Sequence, residues 1–436
     1  MNFIKKIIPN RFIKYIRPFY HGALAYLAHF YFGRPSEKLI VIGVTGTNGK
    51  TTTVNLIAKI LEEAGFKVGY TSTATMKIGA QEFLNNMKMT TPSGWLLQKW
   101  MAQMARAGCE YAVLEISSEG LAQNRHLGIN FDVAVFTNLT PEHLEAHGGF
   151  NNYKLAKGKL FANLQKSQIT NNKSQINPNI QKTIIVNADD QYADFYKSFL
   201  AKKHLSFGVK NPQADLVATD IVYSPDGLSF KIQNSEFIIH LKGQFDVYNS
   251  LAAIATAQSQ NISLEICRKA LEKVPVVPGR VEVLQTSPFT VVVDYAYEPE
   301  EMKQLYQTLA RWPHNRIIQV LGPTGGGRDR ARIEVLGKMA GEAANVVIIT
   351  TDDPYDDDPK ALAQRMSSGV GSDKILNDNL FVILDRRAAI AKAVKLAAFG
   401  DLVLITGKGA DQKMALANGR YLDWDDRKVA REELGH

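Results

Sequence analysis

The run VIGVTGTNGKTTT, Val41 to Thr53, constrains the fold of this chain more than any other segment. A β-branched apolar stretch enters a glycine-rich turn, and a lysine and three threonines follow where a helix is expected to begin, near Lys50. That order is the chemistry of a phosphate cradle. Glycines let backbone amides close on an anion, the helix N-terminus favours negative charge, Lys50 reaches terminal phosphates, and Thr51 can hold Mg2+. The strict pattern GxxxxGK[ST] asks for glycine at position 44, which is Val44, so Gly43 and Gly46 bracket the turn in another spacing.

The rest of the chain agrees with a strand-turn-helix start. Apolar runs at Leu39 to Val44, Tyr111 to Ile116, Val133 to Phe136, Thr290 to Val293, Ile317 to Leu321, Val346 to Thr350 and Leu402 to Thr406 alternate with helix-like stretches. Such βα alternation predicts an α/β protein with mostly parallel sheets covered on both faces. At 436 residues there is room for two or three domains. Val274 to Arg280, with two prolines and a glycine, reads as a boundary, giving segments 1–38, 39–278 and 279–436. The polar stretch Gln165 to Lys182 reads as an exposed loop or insertion.

Charge and cysteine content narrow the function. A net charge of +8 suits anionic ligands. Cys109 and Cys267 are too few for a disulfide framework or a four-thiolate zinc site, so a reducing cytoplasm is expected. No nucleic-acid partner is expected, and the chain is expected to be a monomer. Before Glu37 the chain carries Lys5, Lys6, Arg11, Lys14, Arg17 and Arg34 among aromatic and aliphatic residues, and its longest weakly polar run is too short to span a bilayer. Two readings stand for this segment: a helix docked on the protein's own body, which is the expectation, or an interfacial helix at the inner membrane face.

Further residues can serve a phosphate chemistry. Glu115 ends an apolar strand and His143 follows another in NLTPEHLEAHG; both can join Thr51 around Mg2+, although a histidine beside a turn reads equally well as structural. The arginines of GPTGGGRDRAR, Gly322 to Arg332, suit a phosphate or a solvated loop. TTDDPYDDDP, Thr350 to Pro359, gathers carboxylates that suit an ammonium, a metal or water. ITGKGADQK, Ile405 to Lys413, sets a glycine-rich turn after a strand, where open α/β sheets bind ligands.

Taken in order, these motifs resemble the ATP-dependent Mur ligases of peptidoglycan precursor synthesis, and within that family its tripeptide synthetases. The resemblance runs from about Leu39 to Leu434 and rests on GTNGKTT (46–52), TTP (90–92), LEISS (114–118), AQNR (122–125), FDVAVFTNL (131–139), YKLAK (153–157), NADD (187–190), GQFDVYN (243–249), VPGRVE (277–282), VVVDYA (291–296), GGRDR (326–330) and GDLVLITGKG (400–409). It implies a central P-loop ATPase domain and a C-terminal Rossmann-like domain. It also implies an ADP-forming amide ligase: a muramyl-peptide carboxylate takes the γ-phosphate of ATP, and an amino acid displaces phosphate from the acyl phosphate.

By that resemblance Lys50, Glu115, His143 and Lys157 are catalytic, and Thr51, Glu115, His143 and a carbamylated Lys157 hold Mg2+. Gly46, Thr47, Asn48, Gly49, Lys50, Thr51 and Thr52 cradle the phosphates, while Asn249, Arg280 and Asp294 meet adenine, phosphate and ribose. Thr90, Thr91, Ser117, Gln123 and Arg125 would contact the acceptor. Arg328, Asp352, Asp353, Tyr355, Gly407 and Asp411 would meet the incoming amino acid.

The chain departs from the family at its specificity motifs. About 40 residues precede the phosphate loop, too few for the family's uridine-binding domain, which leaves open whether the acceptor carries UDP. DNPR reads Asp352-Asp353-Pro354-Tyr355, GKGHE reads Gly407-Lys408-Gly409-Ala410-Asp411, SSHAL reads Ser117 to Leu121 with Glu119 and Gly120, and DYAH ends in Tyr297. The missing arginine removes a partner for a distal carboxylate, which makes lysine a rival to meso-diaminopimelate as the added amino acid. Two alternatives remain: a related ligase for a folate-like or cyanophycin-like acceptor, and a non-catalytic ATP-binding partner of a cell-wall synthase.

Overall fold

The computed structural model describes residues 10–435 apart from 88, 143, 167, 168, 225, 328 and 329. His143 and Arg328 therefore lie outside the described residues. The first sheet has nine strands: β1 (Ile40–Thr45), β2 (Val68–Thr71), β3 (Thr75–Ile78), β4 (Gln81–Leu84), β5 (Tyr111–Glu115), β6 (Val133–Phe136), β7 (Thr183–Asn187), β8 (Lys203–Gly208) and β9 (Leu216–Val217). Their order is β4-β3-β2-β5-β1-β6-β7-β8-β9. Neighbours from β2 through β9 pair in parallel, and β3 and β4 add an antiparallel edge.

Strand β1 is buried along its whole length, as its unbroken IVIGVT run requires of a central parallel strand. Each of its large aliphatic side chains contributes about 1.5–3 kcal/mol through burial. Because β5 lies on one side of β1 and β6 on the other, chain connections leave β1 in opposite directions. The C-terminal end of β1 is thus a switch point, where an open α/β sheet leaves a crevice for a ligand. Gly43 admits the helix Phe150–Lys166, since a Cβ there would press on Leu160 and Phe131.

Three antiparallel strands, β10 (Thr219–Ser224), β11 (Gly227–Ile232) and β12 (Ser235–Ile239), follow the first sheet. After the helices Asp246–Ser259 and Leu264–Glu272 comes a six-stranded sheet of β13 (Glu282–Gln285), β14 (Thr290–Asp294), β15 (Ile317–Leu321), β16 (Val346–Ile349), β17 (Leu380–Val382) and β18 (Leu402–Thr406), in the order β13-β14-β18-β15-β16-β17. All of its neighbours are parallel except β13 with β14. The expected mixed α/β architecture is present in both sheets.

One expectation is corrected. The stretch Gln165 to Lys182 is not simply an exposed loop: it holds a helix, Asn171–Ile176, whose Lys173 is fully buried. Lys173 Nζ and Lys182 Nζ lie 2.6 and 2.8 Å from the two oxygens of buried Asp132, which also accepts from the Val41 amide at 2.8 Å. A polar composition thus hides an ion cluster that ties this segment to the edge of β1.

At the N-terminus the helix Asn10–Tyr31 docks on the helix Gly94–Arg106, as expected for a segment resting on the protein's own body. Among the described residues no helix is long and apolar enough to cross a membrane.

Candidate active site

A cleft opens at the C-terminal end of β1, where an open α/β sheet places its ligand. Every phosphate-loop residue from Gly46 to Thr52 lines it. The loop is pinned from β6: the Thr47 and Asn48 amides donate to the Asn138 carbonyl and side-chain oxygens at 2.8 and 2.9 Å, and Thr137 Oγ1 donates to the Asn48 carbonyl at 2.7 Å. The helix Lys50–Glu63 then starts from Gly49, whose φ of 79° lies in the left-handed region that favours glycine. Lys50 Nζ turns back to the Thr47 carbonyl at 2.5 Å, so its charge sits over the loop.

Glu115, at the end of β5, meets this helix. Its carboxylate accepts from Thr51 Oγ1 at 2.9 Å and from the Thr73 amide and hydroxyl at 2.6 and 3.0 Å. The resulting oxygen set, hydroxyl beside carboxylate at the mouth of an anion cradle, has the hard-donor character Mg2+ requires. From the second sheet Arg280 reaches across, its Nη2 standing 3.4 Å from Thr51 Oγ1 and its guanidinium stacked 4.6 Å from the Tyr295 ring centroid. Asp294 also lines the cleft and accepts from the Val281 and Ala296 amides at 2.7 Å each; burial raises its carboxyl while Arg280 opposes.

Lys157 is entombed on the other flank. It is 1% exposed, donates to the Gly46 carbonyl at 2.6 Å, and lies 4.4 Å from the Tyr153 ring centroid. Burial, reinforced by the Lys50 charge, holds its ammonium well below the ordinary lysine range.

The acceptor candidates divide. Thr90 and Ser117 face the cleft directly, with Thr90 Oγ1 2.9 Å from Thr73 Oγ1. Thr91, Gln123 and Arg125 form a bonded unit behind them: Thr91 Oγ1 accepts from the Ser117 amide at 2.7 Å, Arg125 donates to the Thr91 carbonyl at 2.6 Å, and it also donates to Gln123 Oε1. Asn249, expected near adenine, is buried beneath the loop. It accepts from Thr53 Oγ1 at 3.4 Å and donates to Asp246 at 2.9 Å, so here it props Gly49 and Thr53 from below.

The amino-acid candidates gather at the C-terminal edge of the second sheet. Buried Lys408 Nζ lies 3.1 Å from Asp353, 2.8 Å from Asp411 and 3.8 Å from Asp352. These carboxylates already share one cation, and they keep Lys408 protonated despite burial. Gly407 closes against Asp352, and the Tyr355 amide donates to the Ala415 carbonyl at 3.4 Å. Asp411 connects this edge to the main cleft, sharing a small pocket with Thr73, Arg280 and Tyr295.

Sequence reasoning missed Thr73, Tyr153 and Glu301. Thr73 bridges Glu115 and Thr90, and Tyr153 OH stands 3.0 Å from Thr47 Oγ1. Glu301 lines the cleft from the second sheet's side, where burial and neighbouring Glu142 push its carboxyl up to about 7. Tyr153 lay within YKLAK, a signal that was available; Thr73 and Glu301 sit in no motif.

Comparison with known proteins agrees with this geometry. The Mur ligase middle domain family matches residues 44–257, and the Mur ligase, glutamate ligase domain family matches residues 279–409. The chain is 38% identical over 418 residues to the UDP-N-acetylmuramoyl-L-alanyl-D-glutamate--2,6-diaminopimelate ligase of Halalkalibacterium halodurans, covering 94% of this chain and 82% of that protein. A solved structure of a ligase of the same description shares 32% identity at a TM-score of 0.60, covering 91% of this chain and 78% of the other. A folylpolyglutamate synthase structure from Mycobacterium tuberculosis, 17% identical and covering 95% of both chains at a TM-score of 0.70, shares the fold. With relatives matched along nearly its whole length, the chain belongs to the Mur ligase family, ATP-dependent, ADP-forming ligases that join an amino acid to a carboxylate.

Proposed function

We propose that this chain adds a diamino acid, lysine or meso-diaminopimelate, to the carboxylate of a muramyl peptide. The observation that carries the reading is the convergence of Lys50, the Thr51–Glu115 pair and buried Lys157 on one phosphate loop, faced by Arg280 from the second sheet.

Loop amides and Lys50 hold the ATP phosphates and spread the charge that develops as the terminal P–O bond breaks. An acceptor carboxylate oxygen attacks the γ-phosphorus, ADP leaves, and an acyl phosphate forms. The neutral amine then attacks the acyl carbon and phosphate departs, giving the amide. Mg2+, when bound, neutralises phosphate charge; Thr51 and Glu115 would hold it with His143, and a carbamylated Lys157 would hold a second ion.

Thr90 and Ser117 orient the acceptor, with the Thr91–Gln123–Arg125 unit fixing their backbone. Asp294 lies toward the nucleotide, and Asn249 supports the loop from beneath. Asp352, Asp353, Tyr355, Gly407 and Asp411 form the amino-acid side, where Arg328 would also act. Arg280 and Tyr295, approaching from the second sheet, help exclude water from the acyl phosphate.

The test is ADP release by the purified chain with Mg2+, ATP and UDP-muramyl-dipeptide, offering lysine, meso-diaminopimelate and ornithine one at a time. Release that requires both the acceptor and one of these amines is the expected result. Release with a pteroyl or polypeptide acceptor instead would move the chain to another branch of ligases.

A further inference from the structure

The helix Asn10–Tyr31 is docked by its smaller face. Gly22, Ala25 and Ala28 are buried, and Gly94 of the neighbouring helix leaves room for Ala25. The bulky apolar residues stand on the other side: Ile16, Phe19, Tyr20, Tyr26, Leu27 and Phe30 recur three, four, ten, eleven and fourteen positions after the first, one continuous helical stripe. Phe19 is 80% exposed, Leu27 64% and Phe30 60%. Tyr31, 74% exposed, extends the stripe at its end. A contiguous aromatic face of this kind marks an interaction surface.

Charge says what it meets. No acidic residue occurs before Glu37, whereas Lys5, Lys6, Arg11, Lys14, Arg17 and Arg34 do. Arg34 is exposed with its guanidinium 5.2 Å from the Phe30 ring centroid, so a cation borders the apolar stripe directly. We propose that this stripe seats the protein on an anionic lipid surface. Phenyl and phenol rings enter the headgroup boundary while Arg34 and the cationic charge of the preceding segment meet lipid phosphates. A second copy of the chain is a poorer occupant, because a two-fold contact through the stripe would bring together two segments that each carry six cations and one carboxylate, Glu37, 3.9 Å from Arg34. The seat is also next to the acceptor side of the cleft: the Asn124 side chain, between Gln123 and Arg125, donates to the Pro18 carbonyl at 3.4 Å.

The test is sedimentation of the full chain with phosphatidylcholine vesicles made with and without phosphatidylglycerol, beside the triple variant Phe19→Ser/Leu27→Ser/Phe30→Ser. The wild-type chain is expected to pellet with phosphatidylglycerol-containing vesicles. Partitioning should fall roughly tenfold or more without phosphatidylglycerol, in high salt, or in the variant, while its thermal melting and ADP release stay unchanged. Lys5→Glu/Lys6→Glu, which leaves the stripe intact, should weaken binding in the same direction. No pelleting of the wild-type chain, equal pelleting with neutral vesicles, or a dimer by light scattering that the triple variant makes monomeric would overturn the proposal, the last in favour of a self-contact.

Discussion

The hydroxyl of Thr51 donates to the carboxylate of Glu115 across 2.9 Å, joining the first turn of the helix after β1 to the end of β5, 64 residues away in sequence. Glu115 keeps two bonds from Thr73 without it. Thr51→Ala should therefore cost only about 0.5–1.5 kcal/mol of stability. It should lower kcat about 10²–10³-fold and raise the Mg2+ concentration needed for half-maximal rate. Thr51→Ser, which restores the hydroxyl, should recover most of the rate; Mg2+ titrations of ADP release compare the two.

Burial and the Lys50 charge lower the Lys157 pKa, which favours the amine form that reacts with CO2, and the amine donates to the Gly46 carbonyl. Turnover in CO2-depleted buffer should fall and return on adding bicarbonate. Lys157→Met should be inactive, unresponsive to bicarbonate, and melt at a higher temperature than the wild type, because a buried amine is replaced by an apolar chain of similar length. Steady-state rates and calorimetry on the same preparations separate the two effects.

The Asp132 cluster predicts stability rather than rate. Asp132→Ala leaves Lys173 and Lys182 buried beside one another and should cost about 3–5 kcal/mol in denaturant unfolding. Burial chiefly, against the pull of Asp132, brings the folded-state Lys173 pKa down to about 8. Its unfolded value is about 10.4. Between those values the unfolded chain binds more protons at this residue, so its contribution to stability rises with pH from about 8 toward 10.4. The stability of the wild type relative to Lys173→Met should therefore increase across that window and stay flat below it.

Gly279 sits at φ 66° with its Cα against the turn at Gly409 and Ala410, beside Arg280. A Cβ there would overlap the Ala410 amide nitrogen, and the backbone is one that L-residues adopt at a cost of about 1–3 kcal/mol. Gly279→Ala should displace Arg280 from Thr51, lowering kcat and raising the KM for ATP together, with a smaller change in melting temperature. Kinetics with saturating and limiting ATP read the split.

The elements around the phosphate loop were legible because local signals agree there: a β-branched run, glycines at a turn and a helix start fall within Val41 to Thr53. Ile317–Leu321 and Leu402–Thr406 were equally plain, each an apolar run bounded by turn residues. Lys173 was not, since a single lysine in a polar stretch carries no period and its partner Asp132 lies 41 residues away. The expectation for the Asp352–Asp353 cluster lacked its main determinant for the same reason: Lys408, the cation these carboxylates share, comes from another strand's end. Thr73 and Glu301 enter the cleft from separate elements that only the tertiary fold brings together. The N-terminal helix was legible as a helix, but with apolar residues on both faces, sequence alone did not say which face docks.

The most direct test of the ligase reading is the fate of oxygen in the acceptor. With both oxygens of the reacting muramyl-peptide carboxylate labelled as 18O, turnover with Mg2+, ATP and the preferred diamino acid should place one labelled oxygen in the released phosphate and leave the other in the new amide, with ADP as the nucleotide product. Phosphate free of label, or label appearing in AMP, would contradict an acyl phosphate formed at this loop.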